Sequence, residues 1–89
     1  MNTQEKEEAQ LLEQNSQSYK IVLHNDDFNT FDFVIESLIE ICEHSAIQAQ
    51  QCTMLIHYRG KCEVKTGDLD DLKLRCSELL KRGLSAELV

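Results

Sequence analysis

Basic residues are scarce in this 89-residue chain: nine Lys and Arg stand against sixteen Asp and Glu, a formal net charge of -7. That shortage excludes nucleic acid and anionic membranes as partners, because both require a basic footprint, and it favours a cationic or ammonium-bearing ligand. No apolar run is long enough to cross a bilayer. The first eighteen residues have neither the apolar core of a signal peptide nor the Arg-rich character of a transit peptide, so a cytoplasmic location is expected. Gly-rich phosphate loops, Gly-x-Ser-x-Gly and His-Glu-x-x-His are all missing, so nothing announces catalysis, and no cofactor is called for. The four cysteines (Cys42, Cys52, Cys62, Cys76) include no Cys-x-x-Cys pair. They read as buried thiols rather than as a zinc site with His24, His44 or His57.

What is present is organised around Tyr19 to Val34, YKIVLHNDDFNTFDFV. Tyr19 to Leu23 is rich in β-branched and aromatic residues and predicts a strand, which the polar triplet Asn25, Asp26 and Asp27 must end as a loop. Asn29 is expected to cap the next helix, with Asp32 completing a capping box. Phe31, Val34, Ile35, Leu38, Ile41 and Cys42 recur at helical spacing, predicting about three turns that end near His44. Ser45 with Gln48 opens a second helix, whose apolar side is read as Ile47, Cys52, Leu55 and Ile56 and whose end delivers His57. Tyr58, Arg59 and Gly60 are read as a turn, and Cys62 and Val64 as the inward residues of a second strand.

Thr66 is expected to cap a third helix that shows Leu69, Leu72, Cys76, Leu79 and Leu80 on one face, with Gly83 as its stop. Leu84 to Val89 closes as a strand. The expectation is a single small α+β domain over residues 19–89, in the order β-α-α-β-α-β. Its three-stranded, mostly antiparallel sheet is packed by three helices on one side, and residues 1–18 form a flexible tail.

Asn-Asp-Asp after a strand and His-Tyr-Arg-Gly-Lys at 57–61 stand in an order and spacing that resemble the ClpS family, the adaptors of the bacterial Clp protease. The resemblance covers Tyr19 to Val89. It implies a non-enzymatic adaptor, a monomer, that recognises proteins by their N-terminal residue and hands them to a Clp AAA+ ATPase of the ClpA or ClpC kind. By that resemblance Asn25, Asp26, Asp27 and His57 bind the α-amino group, and Leu23, Phe31, Val34, Thr53, Ile56 and Leu84 form the pocket for a first Leu, Phe, Tyr or Trp. Asp68 and Lys73 dock the ATPase's N-terminal domain, and the tail takes part in delivery.

Three departures stand out. Phe31 occupies the place of a gating Met, Thr53 replaces a second Met, and the turn after His57 is shorter than usual. Thr53 is expected to make the wall smaller and more polar, and Phe31 to make the entrance bulky and stiff. Two other readings compete. A domain like the C-terminal part of the ribosomal stalk protein shares the element order but gives no use to Asn-Asp-Asp and His57. A thiol or metal enzyme using Cys52 and His57 is awkward, since five helical positions turn the two side chains roughly 140° apart.

Overall fold

Residues 19–89 are described by a computed structural model; the expected tail, residues 1–18, lies outside them. The elements run β1 (Tyr19–His24), α1 (Phe31–Cys42), α2 (Ala46–Arg59), β2 (Lys61–Gly67), α3 (Leu69–Lys81) and β3 (Ser85–Leu88). The sheet order is β2-β1-β3 and both pairings are antiparallel. Strand β1 is therefore central, with Leu23 opposite Cys62 on one side and Ala86 on the other. Its alternation decides the faces: Ile21 and Leu23 are buried with Val64 beneath the helices. The opposite face carries the Lys20–Glu63 ion pair (3.2 Å) and a hydrogen bond between His24 Nε2 and Glu87 (2.8 Å). Among the described residues no helix is long and apolar enough to cross a membrane.

The core joins Val34, Leu38 and Ile41 of α1, Ala49 and Ile56 of α2, and Leu72, Cys76 and Leu79 of α3 to the sheet. Burying each larger aliphatic side chain contributes ~1.5–3 kcal/mol before the entropy of ordering it. Polar contacts then fix the helices against one another. Arg75 donates to the carbonyl of Ile41 at the end of α1, and Arg82 donates to the buried Ser37 hydroxyl (3.3 Å) and to Glu40 (2.7 Å).

Several local expectations are corrected. The cap of α1 is Thr30, whose Oγ1 accepts from Phe33 N–H (3.2 Å), because the Asn29 amide is engaged elsewhere. Helix α1 stops at Cys42, with Glu43 in the left-handed region (φ 60°) and His44 beyond it. Ser45 does cap α2, accepting from Gln48 N–H at 3.1 Å. That helix continues through Tyr58 and Arg59, with Gly60 closing it at φ 93°.

The buried stripe of α2 is Ala49, Thr53 and Ile56. Ile47, 68% exposed, and Leu55, 38% exposed, point away. Small side chains let the helix lie close to its neighbours, so the largest apolar residues mark the wrong face. Thr66 belongs to β2, opposite Lys20, and Asp68 caps α3 instead, its Oδ1 accepting from Asp71 N–H at 2.9 Å. Leu80 faces solvent, and only Cys42 and Cys76 of the four thiols are buried.

Candidate functional site

The loop after β1 is held by hydrogen bonds that begin with Asp26. Its Oδ1 accepts from the backbone N–H groups of Phe28 (2.9 Å) and Asn29 (2.8 Å), and its Oδ2 accepts from the Asn29 side chain (2.8 Å). The Asn29 amide also donates to the carbonyl of Gly83 at 3.0 Å, strapping the loop to the turn before β3. On the other side Asn25 N–H donates to the carbonyl of Gly60 at 2.8 Å, tying the loop to the end of α2. Burial pushes the Asp26 carboxyl up, but the Asn29 backbone, Asn29 side-chain and Phe28 hydrogen bonds outweigh it and hold it below its ordinary value of 3.8. Asp26 therefore builds the loop first. With three of its roughly four lone-pair sites engaged, it has about one to offer a ligand.

The loop, the first turns of α1 and the end of α2 enclose a hollow of about 360 Å³. Asn25, Asp26, Asp27 and His57 stand round it, and Phe31, Val34, Thr53 and Ile56 complete its wall. A narrower recess of about 20 Å³ shares Asn25, Asp26, Asn29, Val34 and Ile56 with the hollow and is lined as well by Leu23, His24 and Leu84. All ten residues that the resemblance implies for the amino group and the pocket thus lie around two adjoining spaces, contributed by β1, the loop, α1, α2 and the start of β3's approach. Asn29 and Thr30 also line the hollow and were missed, because their contacts to Asp26, Gly83 and the helix start leave no signal in periodicity.

The rim and floor differ in chemistry. Leu23, Val34, Ile56 and Leu84 are almost wholly buried, while Asn25, Asp27 and His57 are exposed. The lining holds two carboxylates and no Lys or Arg, so its field suits a cation. Phe31, 41% exposed, meets the His57 ring edge-to-face at 5.3 Å, and His57 meets Tyr58 in the same way at 5.0 Å. This aromatic row forms one lip of the mouth.

Thr53 departs from expectation. Its hydroxyl donates to the carbonyl of Ala49 at 2.7 Å, one turn back in α2. The wall there is shorter than a Met would make it, but its donor is already used. Asp68, the cap of α3, and Lys73, within it, line neither space. Lys73 is exposed, whereas Asp68 is occupied as the helix cap.

Comparison with known proteins follows this geometry. The family model described as "ATP-dependent Clp protease adaptor protein ClpS" matches residues 14–87. The chain is 32% identical over 80 residues to the ATP-dependent Clp protease adapter protein ClpS of Thermosynechococcus vestitus, covering 89% of this chain and 85% of that one. It is 36% identical over 58 residues to the Erwinia tasmaniensis adapter of the same name, covering 63% of this chain and 55% of that one. Among solved structures, Agrobacterium tumefaciens ClpS2 bound to L-phenylalaninamide superposes with a TM-score of 0.78 at 22% identity, over 83% of this chain and 96% of that one. That likeness is one of fold.

Proposed function

The chain belongs to the ClpS family of Clp protease adaptors, and from that premise we propose that it binds the free α-amino group and bulky apolar first side chain of proteins and delivers them to a Clp AAA+ ATPase. The observation that carries this reading is the hollow itself, where the acceptors of Asn25, Asp27 and His57 share one space with the apolar Phe31, Val34 and Ile56. An α-ammonium has three N–H donors, and an amide oxygen, a carboxylate and a neutral imidazole nitrogen are acceptors of the right types. L-Phenylalaninamide, the ligand in the Agrobacterium ClpS2 structure, combines such an amino group with a bulky apolar side chain. The adaptor works by binding rather than by catalysis, as a cytoplasmic monomer. A stalk-like interaction domain would share the element order but give these acceptors no task.

Magnitudes support a carrier. Burying a Leu or Phe side chain contributes ~1.5–3 kcal/mol, and two or three charge-assisted hydrogen bonds ~1.5–3 kcal/mol each, before the cost of association. The gross sum, about 4.5–12 kcal/mol, is offset in large part by the cost of association, so the complex is expected to be weak and readily released. Titration with peptides that differ only at the first residue tests it. Leu, Phe, Tyr and Trp should bind at least tenfold more tightly than Asp, Glu or Lys, whose charges would shed water against the apolar lining. Equal affinities across the series would overturn the reading. The Thr53 hydroxyl uses its donor on Ala49 but keeps oxygen lone pairs that can accept from the O–H of Tyr or the N–H of Trp.

Phe31→Ala removes the stiff ring from the lip. The variant is expected to gain at least threefold in affinity for peptides beginning with Val or Ile, whose Cβ branch meets that ring in the parent. No gain in the same titration would show that Phe31 does not gate the hollow.

We place ATPase docking on α3, through Lys73 and the charge of Asp68. Lys73→Glu should slow degradation of a Leu-initiated substrate by the cognate ATPase and protease at least fivefold and leave peptide affinity unchanged. Asp68→Ala is a poorer probe, since loss of a helix cap costs about 1 kcal/mol and lowers the melting temperature by about 4–8 °C. If Lys73→Glu loses peptide binding as well, the two surfaces are not separate.

A further inference from the structure

The loop after β1 is anchored at both ends by the carbonyl of a left-handed glycine. Its first residue, Asn25, donates its backbone N–H to Gly60 (φ 93°), which closes α2 three residues after His57. Its last anchor is the Asn29 amide, which donates to the carbonyl of Gly83 (φ 84°) at 3.0 Å. Gly83 ends α3 with two further bonds, Gly83 N–H to the Leu80 carbonyl (2.9 Å) and Leu84 N–H to the Leu79 carbonyl (3.1 Å). That pair is the Schellman ending, and it fixes Leu84, 3% exposed, to the helix. The Gly60 anchor thus holds the loop against His57, and the Asn29 anchor holds it against Leu84. The second Asn29 donor goes to Asp26 Oδ2 at 2.8 Å. Both partners only accept, so the amide nitrogen must face them and the side chain has no freedom left to turn. Asn29 also lines both the hollow and the recess that Leu84 shares.

We propose that Asn29 is a positioning residue that sets how long a first side chain the site accepts, an inference that rests on the binding of N-terminal residues proposed above. The loop carries acceptors for the amino group, and Leu84 lies on the far side of the adjoining recess. The length of the Asn29 arm fixes the separation between them, and with it the depth open to an apolar side chain that enters from the amino group. A side chain too short for that depth leaves lining atoms without partners, and one too long forces the wall apart. Glutamine at position 29 would keep both donors on an arm one methylene longer and hold the loop farther from α3. Alanine would free the loop from Gly83 and leave Asn25 tied to Gly60, so the amino-group acceptors stay beside His57 while the depth is no longer defined.

The test titrates the full chain with peptides that differ only in an unbranched first side chain: alanine, norvaline, norleucine, 2-aminoheptanoic acid and 2-aminooctanoic acid. In the parent each methylene that fits should tighten binding about fourfold, the worth of one buried CH2, until the length that fills the depth, and affinity should fall beyond it. Asn29→Gln should move that optimum to a longer member of the series. Asn29→Ala should flatten the series to within about fourfold, while acetylating the α-amino group still weakens binding at least tenfold in both variants. A fall of about 4–8 °C in the melting temperature of Asn29→Ala leaves it folded for the titration, and if it does not fold, Asn29→Gln decides alone. A uniform loss with the optimum unmoved would make Asn29 merely structural and overturn the proposal, as would a parent that distinguishes free from acetylated peptides yet shows a flat length series. A parent indifferent to acetylation would instead remove the amino-group reading, and this inference with it.

Discussion

A peptide beginning with leucine is expected to lose at least a hundredfold in affinity when its α-amino group is acetylated. Acetylation removes the positive charge and two N–H donors and puts a methyl group where Asn25, Asp27 and His57 offer acceptors at the rim of the hollow. Each acceptor left unpaired in the hollow costs ~1–3 kcal/mol, and two of them together make about 3 kcal/mol, which is about a hundredfold. Competition in fluorescence anisotropy between the free and acetylated peptides measures it directly. The same reasoning makes affinity fall as the pH rises past about 8, where the α-amino group loses its proton. If the acetylated peptide competes as well as the free one, the amino group is not what the rim recognises.

The second large effect separates two neighbouring aspartates. Asp26→Ala should lower the melting temperature by about 5–10 °C and weaken peptide binding at least tenfold. It strands the N–H groups of Phe28 and Asn29 and the Asn29 amide, at a cost of about 1–2 kcal/mol in this partly exposed loop, and the strap to Gly83 loses its anchor. Asp27→Ala should weaken binding by a similar factor with no thermal shift, because Asp27 is an exposed rim carboxylate.

The pH dependence has a defined sign. The folded Asp26 carboxyl sits below its ordinary value of 3.8, so its contribution is fully present above that value and is lost as the pH falls through the lower, folded value. The melting difference between the parent and Asp26→Asn should therefore be full at pH 7 and shrink below about pH 4. Thermal scans that show a loss for Asp27→Ala and none for Asp26→Ala would reverse the roles given to the two residues.

The strand, the three helices and their order were legible in the sequence because hydrophobic period dominates there: Ile21 and Leu23 alternate, and Val34, Leu38 and Ile41 repeat at helical spacing. Capping was less legible. Asn29, Thr30, Thr66 and Asp68 are all chemically able to cap, and only tertiary hydrogen bonds choose among them, as the engagement of Asn29 with Asp26 and Gly83 shows. The packing face of α2 was read rightly at Cys52 and Ile56 and wrongly at Ile47 and Leu55, for a related reason. Its inward stripe is small, so hydrophobicity summed by residue favours Ile47 and Leu55, while close approach favours Ala49 and Thr53. At the site, residue types announced an acceptor-rich loop, but the division between Asp26 as builder and Asp27 as rim charge exists only in three dimensions.

The strap from Asn29 to Gly83 also sets a schedule for making the protein. A ribosome releases the loop long before it releases Gly83, Leu84 and β3, so a partly synthesised chain has Asp26 and Asn29 but neither the carbonyl that anchors them nor the Leu84 side chain. Strand β1 likewise waits for Leu88 to pair with Ile21 before its second edge is covered. On the proposed function, a growing copy is expected not to hold a client by this hollow while residues 83–88 are still unmade, since the Gly83 carbonyl and the Leu84 side chain are then missing from it.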